Sequence, residues 1–186
     1  MQGWVRIIGG KWRSRRLKVL QQEGLRPTPD RVRETLFNWL ADWLPGARCL
    51  DLFAGSGVLG FEALSRGALQ AVFVEQSPQG VALLKEEADV LKADNAKIYC
   101  ATLPRHLPTL SQVFDIVFID PPYHTDLLLP MCHLLEKENY LANPSRIYLE
   151  AERPIEDNEL PAHWHIIKNQ RAGDVFYHLV HREFTA

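Results

Sequence analysis

The chain is poor in cysteine. Its three thiols, Cys49, Cys100 and Cys132, are odd in number, far apart and outside any Cys-x-x-Cys spacing, which argues against a disulfide framework and against a zinc or redox motif. Histidine offers no substitute: the pairs His163/His165 and His178/His181 lack companion ligands and read as decoration of late strands, so no metal is expected. Also missing is any run near the ~20 apolar residues of a membrane span, and the amino end shows no apolar run followed by a small-residue cleavage site. A soluble, cytoplasmic protein is expected, with no membrane partner. There is no internal repeat and no low-complexity segment. With 186 residues, 46% of them hydrophobic, the chain has room for one domain with a sizeable core and little for a second.

Charge is unevenly distributed. The net charge of −2 hides nine Lys/Arg against three acids in residues 1–35, a balance of +6, so the remainder carries −8. A basic arm on an acidic body points to a polyanionic partner. Within the arm, Trp4–Ile8 and Arg16–Leu20 read as two short strands joined through Gly9-Gly10 and the basic Lys11-Trp12-Arg13-Ser14-Arg15. Phosphates would meet Arg6, Lys11, Arg13, Arg15 and Arg16 while Trp12 stacks on an unpaired base, with Arg31 and Arg33 extending the surface. Residues 1–22 are therefore set apart as a basic hairpin extension, and 23–186 as the main domain.

Glu23 to Pro29 reads as a linker, with Thr28 as N-cap and Pro29 as the first residue of a helix reaching about Leu44, apolar at Val32, Leu36, Trp39, Leu40 and Trp43. Strands are expected at Arg48–Phe53, Gln70–Val74, Lys97–Ala101, Phe114–Ile119 and Ser145–Glu150. Helices are expected from Phe61, from Pro78 to about Ala93, and from Asp126 to about Glu136. Two alternating runs, His163–Asn169 and Val175–Arg182, close the chain as an antiparallel hairpin. The fold class is thus α/β, a Rossmann-like, mostly parallel sheet with one reversed strand.

Two stretches carry chemistry. Gly55-x-Gly57-x-x-Gly60 brings backbone close to a ligand at a strand-to-helix turn, and Glu75 ends the next strand, where it can accept from both hydroxyls of a ribose. That much fits NAD as well as S-adenosylmethionine. Asp51 separates them, because a carboxylate four residues before Gly55 repels a pyrophosphate and attracts an ammonium group. The second stretch, Asp120-Pro121-Pro122-Tyr123, ends the apolar strand Phe114–Ile119 at the sheet edge where ligands bind. Asp120 and the bare Pro121 carbonyl can hold the two hydrogens of an exocyclic amine while Tyr123 stacks on its ring, a contact of about 1–3 kcal/mol per base.

Together Asp51-Leu-Phe-Ala-Gly-Ser-Gly57, Glu75 and Asp120-Pro-Pro-Tyr123 resemble motifs of the class I S-adenosylmethionine-dependent amino-methyltransferases. Arg6-Ile-Ile-Gly-Gly-Lys-Trp-Arg-Ser-Arg-Arg-Leu17 and Arg26-Pro-Thr-Pro-Asp-Arg-Val-Arg-Glu-Thr-Leu-Phe-Asn-Trp39 narrow the likeness to the bacterial RsmD family, which methylates the N2 amine of a guanine in 16S ribosomal RNA. The resemblance implies that Asp51, Phe53, Ala54, Gly55, Ser56 and Gly57 wrap the methionine part of the cofactor, and that Glu75, with Gln76 beside it, takes the ribose. It implies that Asp120, Pro121 and Tyr123 hold and stack the guanine. One departure is that Ala101-Thr102-Leu103 stands where many relatives place an acid for the adenine amine, leaving adenine to Thr102, Leu103 or backbone groups. The implied partner is 16S rRNA within a small ribosomal subunit or assembly intermediate, met by a monomer. The rivals are a DNA adenine- or cytosine-amino methyltransferase, a non-catalytic RNA-binding assembly factor and an NAD oxidoreductase.

Overall fold

The computed structural model describes residues 3–20 and 28–184, so Arg26 and most of the expected linker lie outside the described residues. Among the described residues, seven strands form the main sheet: β3 (Arg48–Leu52), β4 (Gln70–Glu75), β5 (Ala96–Cys100), β6 (Phe114–Ile119), β7 (Leu141–Ala151), β8 (Trp164–Ala172) and β9 (Val175–Arg182). Their order is β5-β4-β3-β6-β7-β9-β8, while β1 (Gly3–Arg6) and β2 (Arg16–Val19) form a separate two-stranded sheet. Every neighbouring pair from β5 to β7 is parallel, β9 runs antiparallel to β7, and β8 pairs antiparallel with β9. The expected class, with its one reversed strand, is the one observed. From β3 the chain first winds outward to β4 and β5 and then returns to place β6 on the other side of β3. That reversal opens a crevice at the carboxyl ends of β3 and β6.

Alternation along the strands divides the core. Cys49, Phe73, Ile116, Phe118 and Tyr148 face one side with α1 (Asp30–Trp39), α2 (Val58–Ser65) and α3 (Pro78–Leu91). Leu50, Val72, Val117, Ile119 and Leu149 face the other, under α4 (Leu128–Lys137) and Trp164. Each fully buried large side chain contributes about 1.5–3 kcal/mol, and strands covered on both faces must read as apolar runs, as β6 does.

The basic hairpin is tied to this body. Val5, Ile7 and Leu17 join the first core face, and Gly10 (φ +73) lies so close to α2 that a Cβ there would meet the Ser65 carbonyl oxygen at 1.9 Å. Ser65 Oγ donates to the Gly9 carbonyl at 2.6 Å and accepts from the Trp12 amide at 2.9 Å, and Glu87 on α3 accepts from the Lys18 amide at 3.0 Å. Two boundaries differ from expectation for physical reasons. α1 has Pro29 as its N-cap and ends at Trp39, because the Thr28 hydroxyl is engaged elsewhere and residues 41–43 form turns. β7 begins at Leu141, ahead of Pro144, because the register shift between Phe114 and Ile116 absorbs the interruption.

Candidate active site

At the end of β3 the backbone turns sharply, with Phe53, Gly55 and Gly57 at φ +61, +54 and +71. The three glycines have different tasks. A Cβ on Gly57 would strike Leu84 at 2.4 Å and one on Gly60 would strike the Phe73 ring at 2.3 Å, so both let α2 pack closely. At Gly55 the nearest atom would be the Phe53 carbonyl oxygen at 3.9 Å. The first glycine therefore leaves its backbone open to the crevice, which is where a ligand can approach.

Carboxylates surround this turn. Asp51, 3% exposed, accepts from the Gly60 amide at 2.9 Å, joining the strand end to the start of α2. Burial pushes its carboxyl up to about 8 despite that hydrogen bond, with Glu75 adding to the rise. Glu75 ends β4 half-buried, its two oxygens accepting from the Gly55 amide at 2.9 Å and the Ser77 amide at 2.8 Å. A Cβ on Gly80 would meet Glu75 Cγ at 2.8 Å, so α3 needs glycine there for this carboxylate to fit. Gln76 and Thr102 are exposed beside the end of β5, whereas Leu103 is buried on the second core face and turns away from them. Ala54 and Ser56 complete the turn, with the Ala54 carbonyl accepting from the Gly57 amide at 2.7 Å.

Asp120 stands just past β6, two residues beyond Phe118, the register partner of Asp51. Burial pushes its carboxyl well above the usual carboxylate range, and the charges of Glu150 and Asp51 add to the rise. Pro121, Pro122 and Tyr123 follow it along one wall of a cleft of ≈ 430 Å³, completed by residues 124–130, by Glu150 near the end of β7 and by Glu152 and Arg153 after it. The loop is braced by Glu152, which accepts from the His124 amide at 2.7 Å, and by the Thr125 hydroxyl donating to the Pro122 carbonyl at 2.5 Å.

Two residues expected on the RNA surface are not there. Arg33 is fully buried: its guanidinium donates to the carbonyls of Arg6 at 2.8 Å and Thr28 at 3.3 Å and to Asp30 at 2.5 Å, and lies 3.7 Å from buried Glu62. It falls on the inner side of α1 and joins α1, α2 and the hairpin. Trp12 is only 9% exposed and packs into the core, because its short 3-10 turn folds onto α2, with Lys11 Nζ 4.3 Å above its ring. Lys11, Arg13, Arg15, Arg16, Arg6 and Arg31 are exposed, Arg6 pairing with Asp30 at 2.6 Å. Sequence reasoning also passed over Glu150, Tyr148 and Thr28, which lie behind Asp120. Glu150 was findable, since it ends a strand at the same sheet edge as Asp51, Glu75 and Asp120.

A strand order that reverses beside β3, with a glycine turn under the reversal, is that of the Rossmann-like methyltransferases, and this is the class to which the fold belongs. The chain is a member of the RsmD family: the family described as Conserved hypothetical protein 95 matches residues 5–181. It is 45% identical over 181 residues to Ribosomal RNA small subunit methyltransferase D of Escherichia coli strain K12, covering 97% of this chain and 91% of that protein. The solved structure of yhhF from Escherichia coli superposes with a TM-score of 0.88 at 44% identity, covering 98% of this chain and 100% of that one. A more distant methyltransferase solved in complex with SAH shares the fold, with a TM-score of 0.67 at 15% identity over 97% of this chain and 56% of that one.

Proposed function

We propose that the protein transfers a methyl group from S-adenosylmethionine to the exocyclic N2 amine of a guanine in small-subunit ribosomal RNA. The observation that carries this reading is the placement of Asp51 and Asp120 on adjacent strand ends at the switch point, one facing the glycine turn and the other the Tyr123 cleft. The cofactor fits the residues present. Open backbone at Gly55 admits a ligand, a bound ammonium group would draw the raised Asp51 carboxyl into its charged form, and Glu75 accepts from ribose hydroxyls. Asp51, Phe53, Ala54, Gly55, Ser56 and Gly57 would hold the methionine part, Glu75 and Gln76 the ribose, and the neighbourhood of Thr102 the adenine. When bound, S-adenosylmethionine supplies a methyl group on positively charged sulfur, already a reactive electrophile.

The chain's own task is then chiefly alignment. Fixing two reactants in line lowers a barrier by as much as about 7–11 kcal/mol, against about 1.5–3 kcal/mol for one charge-assisted hydrogen bond. Asp120 and the Pro121 carbonyl orient the amine, Tyr123 holds the ring, and Asp120 accepts the proton that the methylated nitrogen sheds. The guanine must leave its stack to enter the cleft, so an unpaired base is the substrate. Residues 3–20, with Lys11, Arg13, Arg15 and Arg16 exposed, serve as an RNA-contacting extension of a monomeric enzyme. Incubation of unmodified small subunits with labelled S-adenosylmethionine, followed by mapping of the modified nucleotide, tests the proposal. One N2-methylguanine in small-subunit RNA is expected, and label in DNA or no label at all would refute it.

A further inference from the structure

Behind Asp120 lies a second carboxylate that methyl transfer as just described leaves unused. The Thr28 hydroxyl sits 3.4 Å from Asp120 Oδ2 and 3.3 Å from Glu150 Oε2, and the Tyr148 hydroxyl donates to the same Glu150 oxygen at 2.9 Å. Thr28 is 5% exposed, Glu150 6% and Tyr148 0%. A threonine hydroxyl has one hydrogen, so it cannot donate to both acids at once. The chain of contacts is complete only when one carboxyl keeps a proton: Glu150 donates to Thr28, which donates to Asp120, or the reverse.

Among the described residues neither acid is paired with a cation: Arg153, which lines the same cleft, pairs with Glu159 at 2.5 Å. Asp120 is faced by Thr28 ahead of α1, by Glu150 and Tyr148 on β7 and by Asp51 on β3, with Tyr177 of β9 beyond Tyr148. The nearby Arg33 spends its donors on the Thr28 and Arg6 carbonyls and on Asp30, so it fixes Thr28 without neutralising either acid. Two such carboxylates, Glu150 buried and Asp120 half-buried at the cleft, are less costly to hold with one shared proton than as two charges.

We propose that Thr28 and Glu150 form a proton relay behind Asp120, with Glu150 the positioning residue that orients Asp120 and passes its proton to the cleft. The inference rests on the methyl-transfer reading. With the proton on Glu150, the Thr28 hydrogen points at Asp120 and holds its carboxylate charged and oriented for the amine. When the methylated nitrogen sheds its proton to Asp120, the N–H electron pair stays on nitrogen. Glu150, which lines the ≈ 430 Å³ cleft, releases its own proton to water there. Thr28 then passes its hydrogen to Glu150 and takes the one on Asp120. One proton has left, and every group is back in its starting state.

Single-turnover methylation across pH, cofactor affinity and the infrared carboxyl spectrum of the free protein test the relay in Thr28→Val, Thr28→Ser, Glu150→Gln and Asp120→Ala. The expected result is a rate loss on the order of 10-fold or more in Thr28→Val, substantial rescue in Thr28→Ser and unchanged cofactor affinity in both. Glu150→Gln is expected to remove one ionisation from the rate profile and one protonated-carboxyl band from the spectrum at neutral pH. Wild-type rates and profiles in Thr28→Val and Glu150→Gln, with Asp120→Ala inactive, would overturn the relay alone. Equal losses in the Val and Ser variants with an unmoved profile would make the cluster merely structural and also overturn it. Full turnover in Asp120→Ala would instead overturn the methyl-transfer reading.

Discussion

Asp51 and Asp120 end neighbouring parallel strands, and Asp120 stands two residues beyond the register partner of Asp51, near enough for the charge of one to raise the proton affinity of the other. Local spacing does not bring these two acids together, since 68 residues separate them. The sheet does, by returning β6 to the free side of β3. Both acids then border one crevice.

The glycine turn separates binding from packing. Gly55→Ala places a methyl group in open crevice space at a positive φ and should lower cofactor affinity at least tenfold, with a folding penalty of about 1 kcal/mol. Gly60→Ala drives a methyl into the buried Phe73 ring and should cost about 1–3 kcal/mol of stability. Calorimetric titration with S-adenosylmethionine, paired with urea unfolding, distinguishes the two.

Asp51 makes stability depend on pH. Its carboxyl, at about 8 in the fold against an ordinary 3.8, takes up a proton on folding. Its contribution is therefore fully present below about pH 4 and is lost as pH rises through 8. Asp51→Asn cannot ionise, so the difference in unfolding free energy between pH 5 and pH 8 should shrink by more than ~1.4 kcal/mol, the equivalent of one pKa unit. Urea melts of both proteins at the two pH values provide the check.

Arginines of the basic arm should divide by burial. Arg33→Ala leaves the Arg6 and Thr28 carbonyls without their donor, while Glu62 keeps Arg66 at 2.7 Å, and should destabilise the fold by about 1–3 kcal/mol. Neutral replacement of exposed Arg13, Arg15 and Arg16 should leave the melting temperature nearly unchanged while weakening RNA binding and flattening its salt dependence. Thermal melts and filter binding across salt concentrations measure both.

Tyr123 should matter through its ring. Tyr123→Ala is expected to lose about 1–3 kcal/mol of interaction with the substrate base, and Tyr123→Phe to retain most of it. Comparison of kcat/KM for the two variants on the same RNA checks this.

Much of this architecture is legible in the sequence because local signals agree with the global fold. The β6 residues are apolar on both faces, Ser77-Pro78 opens α3 where the Ser77 hydroxyl accepts from the Gly80 amide at 3.3 Å, and the Asp-Pro-Pro-Tyr turn marks a strand end. Thr28 and Arg33 misled for the opposite reason. Thr28-Pro29 has the form of a helix cap, and Arg33 lies in a run of charge. Their tertiary partners, Asp120, Glu150 and Glu62, come from elements far along the chain. Trp12 likewise reads as an exposed aromatic until α2 is seen beneath it.

The most direct test measures labelled methyl transfer from S-adenosylmethionine to small-subunit RNA by the wild-type protein and by Asp120→Ala, with cofactor affinity determined on the same samples. The account predicts that the variant binds the cofactor as the parent does and loses most turnover. Equal turnover in the two proteins would contradict it.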